Sequence, residues 1–209
     1  MATSIPIRNR AKHTGSPRSR AKSNVAVVGG RIDLPWGVAL RELTCIADHR
    51  GSLVELDRQS WHPDDVSVQW TLSRSAPDVL RGPHLHKQHA DRLVVLDGEL
   101  LIGLVDLRRD SATARLRSSF VLAPLHVLTI PPGVLHAFFS QTATTALNGT
   151  SHEFDPADDL EVRFDDPDLG LVWPTGAPLL SPRDDDAPTL TVLLERCTAA
   201  GLRVIDPPR

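Results

Sequence analysis

The segment Arg81-Gly-Pro-His84-Leu-His86-Lys-Gln-His89-Ala-Asp91-Arg92-Leu-Val-Val-Leu-Asp97-Gly98 holds three histidines, an acid, an apolar run and a turn. His84 and His86 are two apart, so on a strand they face the same way. Asp97-Gly98 is a turn signal that reverses the chain. Further along comes Ile130-Pro-Pro-Gly133-Val-Leu-His136, in which Pro132-Gly133 closes a turn and delivers His136 onto a following strand. Folded against one another, the two segments would gather imidazoles and a carboxylate in one apolar cup.

Outward from these segments, short strand-like runs alternate with turns. The runs are Gly37–Cys45, Ser52–Leu56, Ser67–Leu72, Arg92–Leu96, Leu100–Leu107, Arg117–Leu122, Val127–Ile130 and His136–Ser140, with turns at Asp48–Gly51, Asp97–Gly98, Arg109–Ser111 and Pro131–Gly133. Many short strands at this spacing predict an all-β sandwich or barrel. Only Pro188–Ala200 has helical periodicity, with Leu190, Leu193, Leu194 and Cys197 on one face. The acid-rich segment Asp155–Asp168 reads as a surface excursion, and its spacing fits no calcium loop.

The 209 residues suffice for one domain with a sizeable core, and no apolar run approaches the length of a membrane span. The N-terminus has no apolar signal core, so a cytoplasmic protein is expected. Residues 1–22 carry Arg8, Arg10, Lys12, Arg18, Arg20 and Lys22 and no acid, leaving 17 basic and 26 acidic side chains, a net of −9, in the rest. The expected organisation is a disordered basic tail over residues 1–30 and a single domain over residues 31–209. An acidic body argues against a nucleic-acid groove. Cys45 and Cys197 make neither a disulfide framework nor a zinc pattern, and both read as buried small hydrophobes.

His-x-His, then Asp91, then Gly98, then Pro-x-Gly-x-x-His resembles the two cupin motifs, with Asp91 where glutamate is usual. A wider series runs in order: Asp48-His-Arg50-Gly51, Gln69, Ser73-x-Ser75, Val79-Leu-Arg81-Gly-x-His84, Val105-Asp106-Leu-Arg108, Ser111-x-Thr113, Ile130-Pro-x-Gly133-x-x-His136, Asp166-Pro167, Gly170-x-x-Trp173-Pro174 and Leu180-Ser181-x-x-Asp184. Over residues 38–190 it resembles the dTDP-4-dehydrorhamnose 3,5-epimerase family. The resemblance implies a cupin-type double-stranded β-helix jelly roll with a short C-terminal helix. It also implies a homodimer and 3- and/or 5-epimerisation of a nucleotide-linked 4-keto-6-deoxyhexose, with no cofactor. The family's His–Asp base maps onto His84 and Asp184, a further active-site histidine onto His136, and diphosphate contacts onto Arg50 and Arg81. Gln69, His86, Arg92 and Trp173 are the other expected substrate contacts.

Three positions depart from that family. Asp91 stands where a lysine would steady the enolate. The chain has no tyrosine to return the proton, and the corresponding region offers His152 or Glu153. Leu53 replaces an aromatic residue that would stack on the nucleotide base. A carboxylate beside an enolate raises its energy. Either Asp91 turns away and Arg92 supplies the cation, or a divalent metal sits among His84, His86, Asp91 and His136, whose donors suit zinc, iron, nickel or manganese. His89 reads as a solvated loop residue. The competing functions are a sugar 3,4-ketoisomerase, a metal-dependent cupin dioxygenase or isomerase, and a non-catalytic small-molecule-binding cupin.

Overall fold

Arg117–Leu122 alternates exposed and buried side chains residue by residue, the period of two that a strand shows when one face lies on a core. Such strands dominate the computed structural model, which describes residues 24–27, 30–62 and 66–208. In chain order they are β1 (Asn24–Val27), β2 (Gly30–Asp33), β3 (Ala39–Glu42), β4 (Cys45–Asp48), β5 (Gly51–Val54), β6 (Gln69–Ser75), β7 (Leu80–His86), β8 (Asp91–Asp97), β9 (Leu100–Asp106), β10 (Arg117–Leu122), β11 (His126–Ile130), β12 (Val134–Ser140), β13 (Thr144–Thr150) and β14 (Asp159–Glu161). Two helices close the fold, α1 (Pro182–Asp185) and α2 (Leu190–Ala199).

Two five-stranded sheets form, ordered β10-β9-β12-β7-β14 and β3-β11-β8-β13-β6. The strand pairs within them are antiparallel. From β7 to β14 the chain passes back and forth between the sheets, as a jelly roll requires. Leu93 and Val95 of β8, Ile102 and Leu104 of β9 and Leu128 of β11 meet between them at 2% exposure or less. Burial at that depth stabilises by about 1.5–3 kcal/mol per side chain. The outer face of the first sheet is covered by α2, whose Leu190, Leu193, Leu194 and Cys197 pack on Leu85, Leu107 and Leu135. Thr189 caps this helix, its hydroxyl accepting from the Val192 amide at 3.4 Å.

The structure revises several expectations. Residues 24–27 pair with 30–33, within the span expected as a tail, while residues 1–23 lie outside the described residues. Asp155–Asp168 is no surface excursion: β14 adds to the edge of the first sheet, and Asp158, Asp159 and Asp166 are buried. Cys197 is buried as expected, but Cys45 is exposed on the β4–β5 hairpin. No helix among the described residues is long and apolar enough to cross a membrane.

One irregularity positions the site. His84 pairs with His136, but Arg81 pairs with Phe138, so β7 spends one residue more than β12 over this interval. This β-bulge puts Arg81 and His84, three apart, on the same inner face. Gly82 makes it possible: its φ is +84°, and a Cβ there would come within 2.8 Å of the His84 nitrogen and 2.9 Å of the His136 oxygen.

Candidate active site

Strand alternation fixes most of what faces the cup. On β7, His84 and His86 point inward while Leu85 packs outward under α2. His136 on β12 lies opposite His84 and joins them. On the facing sheet, Asp91 begins β8 and lies between Ile130 of β11 and Thr150 of β13. β14 contributes Asp159, opposite His86.

His84 and Asp184 form a dyad, with Nε2 of the imidazole 2.7 Å from Oδ1 of the acid. Ser181, the cap of α1, donates its hydroxyl to Asp184 Oδ2 at 2.9 Å and accepts from the Asp184 amide at 3.1 Å. Burial pushes the Asp184 carboxyl up. Its bonds to His84, Ser181 and the Gly82 backbone outweigh this and hold it below the ordinary carboxylate value. A carboxylate only accepts, so His84 Nε2 carries a proton and Nδ1 is left as the base. Asp159 Oδ1 lies 3.8 Å from that Nδ1. Asp159 is held in turn by Arg183, which donates to its Oδ2 at 2.6 Å and to Glu161 at 2.7 Å.

Behind the dyad lies a second group. Oδ2 of Asp91 has three imidazole Nε2 atoms around it, those of His86 at 3.3 Å, His136 at 3.5 Å and His89 at 3.9 Å. His86 and His89 stack with ring centroids 3.8 Å apart. His89 is buried, not the solvated loop residue expected from the sequence. Its Nδ1 meets Asp158 Oδ2 at 2.7 Å, and Asp158 Oδ1 accepts from the amides of Lys87 and Gln88, each at 2.9 Å. Burial and then the neighbouring imidazoles of His136, His89 and His84 hold His86 far below the usual histidine range. Burial lowers His136 as well, opposed in part by Asp91. His84 is not in this group: its Nε2 is taken by Asp184, so the ligand set expected with His84 is corrected.

Other expected contacts are redistributed. Arg92 is fully buried and adjacent to Asp91, so it points to the opposite face of β8, where Nη1 donates to Ser67 at 3.0 Å. Arg92 therefore does not bring a cation to the cup. Trp173 packs on the outer face of the first sheet, against Phe139 and over Gly103, and its indole donates to the Phe164 carbonyl at 3.2 Å. Gln69 accepts from the Phe154 amide at 3.0 Å and braces the chain after β13. Arg81 opens from the inner face, its Nε donating to Ser75 at 3.1 Å. Arg50 is exposed on the β4–β5 hairpin and bonded to Asp48 at 2.6 Å. His152 is exposed, with Nδ1 3.1 Å from the Ser151 hydroxyl; Ser151 is bonded to Ala90, next to Asp91. His89, Asp158 and Asp159 were not legible as site residues, because their segments read as polar surface, and Arg183 was an unspecified position inside the Leu180–Asp184 motif.

The family model of dTDP-4-dehydrorhamnose 3,5-epimerase matches residues 34–191. A dTDP-4-dehydrorhamnose 3,5-epimerase of Streptomyces griseus is 31% identical over 173 residues, 77% of this chain and 86% of its own. A dTDP-4-dehydrorhamnose 3-epimerase of Streptomyces niveus is 35% identical over 142 residues, 65% of this chain and 66% of its own. Among solved structures, ChmJ, a 3'-monoepimerase from Streptomyces bikiniensis in complex with dTDP-quinovose, superposes with a TM-score of 0.69 at 29% identity, covering 82% of this chain and 89% of that one. With the jelly roll described above, these matches show that the chain belongs to the dTDP-4-dehydrorhamnose 3,5-epimerase family and is a carbohydrate epimerase.

Proposed function

We propose that the protein inverts one carbon beside the ketone of a dTDP-linked 4-keto-6-deoxyhexose, in deoxysugar biosynthesis, with His84 as the base. The observation that carries this reading is the His84–Asp184 bond of 2.7 Å on the inner face of β7. The ketone acidifies the hydrogen on the neighbouring carbon. His84 Nδ1 takes that proton, and the C–H electron pair moves onto the carbonyl oxygen to give an enolate. Asp184 stabilises the imidazolium that results. The electron pair then returns to carbon, a proton arrives from the opposite face, and the ketone is restored. With no tyrosine in the chain, we assign the returning proton to His152, exposed at the rim beside Ser151. Inversion of one carbon is the reaction named for several relatives, among them the 3-epimerase of Streptomyces niveus, and supports this reading.

The competing readings on sequence, a dioxygenase or a non-catalytic binder, are not favoured by membership of this family. Arg81 suits one phosphate of the nucleotide diphosphate as a planar guanidinium. Arg50 would serve a neighbouring copy, in a homodimer that joins through the exposed apolar side chains of Ile46, Leu53, Trp70 and Leu72. A cytoplasmic place of action follows, since a charged nucleotide sugar does not cross a bilayer unaided.

The test is incubation of dTDP-4-keto-6-deoxyglucose with the protein in deuterated water, read by NMR. Deuterium enters at one carbon beside the ketone, and His84→Ala slows entry at least about a hundredfold, the usual reach of general-base catalysis. Undiminished exchange in His84→Ala would overturn the mechanism.

A further inference from the structure

Asp91 is 1% exposed, and its two oxygens have unequal surroundings. Oδ1 accepts from the Asn148 side chain at 2.6 Å. Oδ2 is buried and receives no hydrogen bond. A buried carboxylate oxygen without a donor is costly, and here the polar atoms about it are the three imidazole nitrogens.

Two of those imidazoles are turned so that they cannot repair the deficit while neutral. His136 Nδ1 lies 3.1 Å from the Val134 carbonyl, an acceptor only, so that nitrogen carries the hydrogen. His89 Nδ1 meets the Asp158 carboxylate, likewise an acceptor, at 2.7 Å. In His89 and His136 the Nδ1 hydrogen is directed away, and the Nε2 lone pair is left facing Asp91 Oδ2. His86 Nδ1 is buried without a hydrogen-bond partner, with Asp159 Oδ1 3.5 Å away. Lone pairs converging on an anionic oxygen repel unless a cation lies among them. Fixing of Nδ1 by a carboxylate or carbonyl is the outer-shell arrangement that orients histidine ligands.

We propose that His86, His89, Asp91 and His136 bind one divalent transition-metal ion through three Nε2 atoms and Asp91 Oδ2. Four donors at about 2.1 Å from zinc in a tetrahedron stand about 3.4 Å apart; the donors of His86, Asp91 and His136 already lie within 4.8 Å of one another, and His89 Nε2, 3.9 Å from Asp91 Oδ2, moves inward to complete the set. Three imidazoles and one carboxylate suit zinc, iron(II), nickel or manganese, whereas the oxygen-only coordination preferred by calcium and magnesium is not offered. The ion would place positive charge in the cup at the position of the missing lysine and leave His84, held by Asp184, free as the base. The inference rests on these side chains alone; only its consequence for the enolate depends on the epimerase reading.

The probe is cobalt(II), added to protein that has been stripped with a chelator and dialysed. Visible absorption and calorimetry should report one saturable ion per chain, displaced by zinc. X-ray absorption of the zinc-loaded wild type should find three imidazoles on the metal. His89→Ala and Asp91→Asn each weaken binding at least about a hundredfold. Asp158→Asn weakens it about tenfold to a hundredfold by releasing the His89 ring. His84→Ala binds cobalt as the wild type does, although its proton exchange is lost. No saturable binding by the wild type at millimolar cobalt, or fewer than three imidazoles on bound zinc, overturns the proposal. So does a His89→Ala variant that binds normally while His84→Ala does not. Deuterium exchange measured on the stripped wild type separates the two readings. Exchange without cobalt binding sinks the metal site and spares the epimerase; binding without exchange in stripped or loaded protein does the reverse.

Discussion

Two buried aspartates, one opening β8 and one closing β9, receive opposite treatment. Asp106 closes β9 at 0% exposure. Its carboxylate accepts from the Arg108 amide at 3.2 Å, Arg108 Nε at 2.8 Å, Arg108 Nη2 at 2.9 Å, Ser111 Oγ at 2.5 Å and Thr113 Oγ1 at 2.6 Å. Asp91 opens β8 at 1% exposure and accepts from Asn148 at 2.6 Å, while its second oxygen receives nothing. Asp106 stands within the motif series of the epimerase family and Asp91 departs from it, and the two also differ in how far they are satisfied. A buried carboxylate with all its acceptor sites filled ties a turn together, and one left open among imidazoles stores the capacity to hold a ligand.

The contrast breaks first at Asp106. Asp106→Ala strands the Arg108 guanidinium and two hydroxyls and should cost about 3 kcal/mol of stability, read from denaturant midpoints. A loss under about 1 kcal/mol would mean that the corner is not a scaffold. Gly82→Ala tests the bulge that carries Arg81 and His84. A Cβ at φ +84° would press on the His84 and His136 backbones. About 1–3 kcal/mol of strain is expected, with deuterium exchange down at least about tenfold because the dyad moves.

The pH dependence sharpens the same comparison. Burial raises the Asp106 carboxyl, but its bonds to Arg108, Ser111 and Thr113 outweigh that and leave it below the ordinary 3.8. A depressed folded value means that the group's contribution is present above 3.8 and is lost as pH falls through the folded value. The stability difference between wild type and Asp106→Asn should therefore be flat from neutral pH down to that range and shrink below it, in urea titrations at stepped pH. A difference that stays constant into strong acid would contradict this. The smallest effect is expected at the other aspartate. In chelator-treated protein, Asp91→Asn should cost no more than about 1 kcal/mol of stability, because it removes a poorly satisfied buried charge. A cost above about 2 kcal/mol would make Asp91 a scaffold residue like Asp106.

Much of the fold was legible because strands announce themselves locally. Arg117–Leu122 matches β10 residue for residue, and the helical face Leu190, Leu193, Leu194 and Cys197 is buried as its periodicity required. β14 was missed because three residues, two of them acids, carry no alternation to read. Its burial depends on Arg183, which is distant in sequence but binds Asp159 and Glu161. The dyad partners His84 and Asp184 were named by resemblance, and the 2.7 Å contact between them is a matter of tertiary geometry.

The sequence by itself determined the strand pattern, the jelly roll, the family and the inward direction shared by His84 and His86, since each follows from local period or ordered motif. It also showed that lysine and tyrosine are missing where the family uses them. Only the tertiary structure decided that His89 joins His86, Asp91 and His136 while His84 leaves them for Asp184, and that Arg92 faces away. The physical reason is that side-chain partnership in a β fold depends on cross-strand register, a bulge at Gly82 and remote acids such as Asp158, none of which is encoded in the spacing of the histidines.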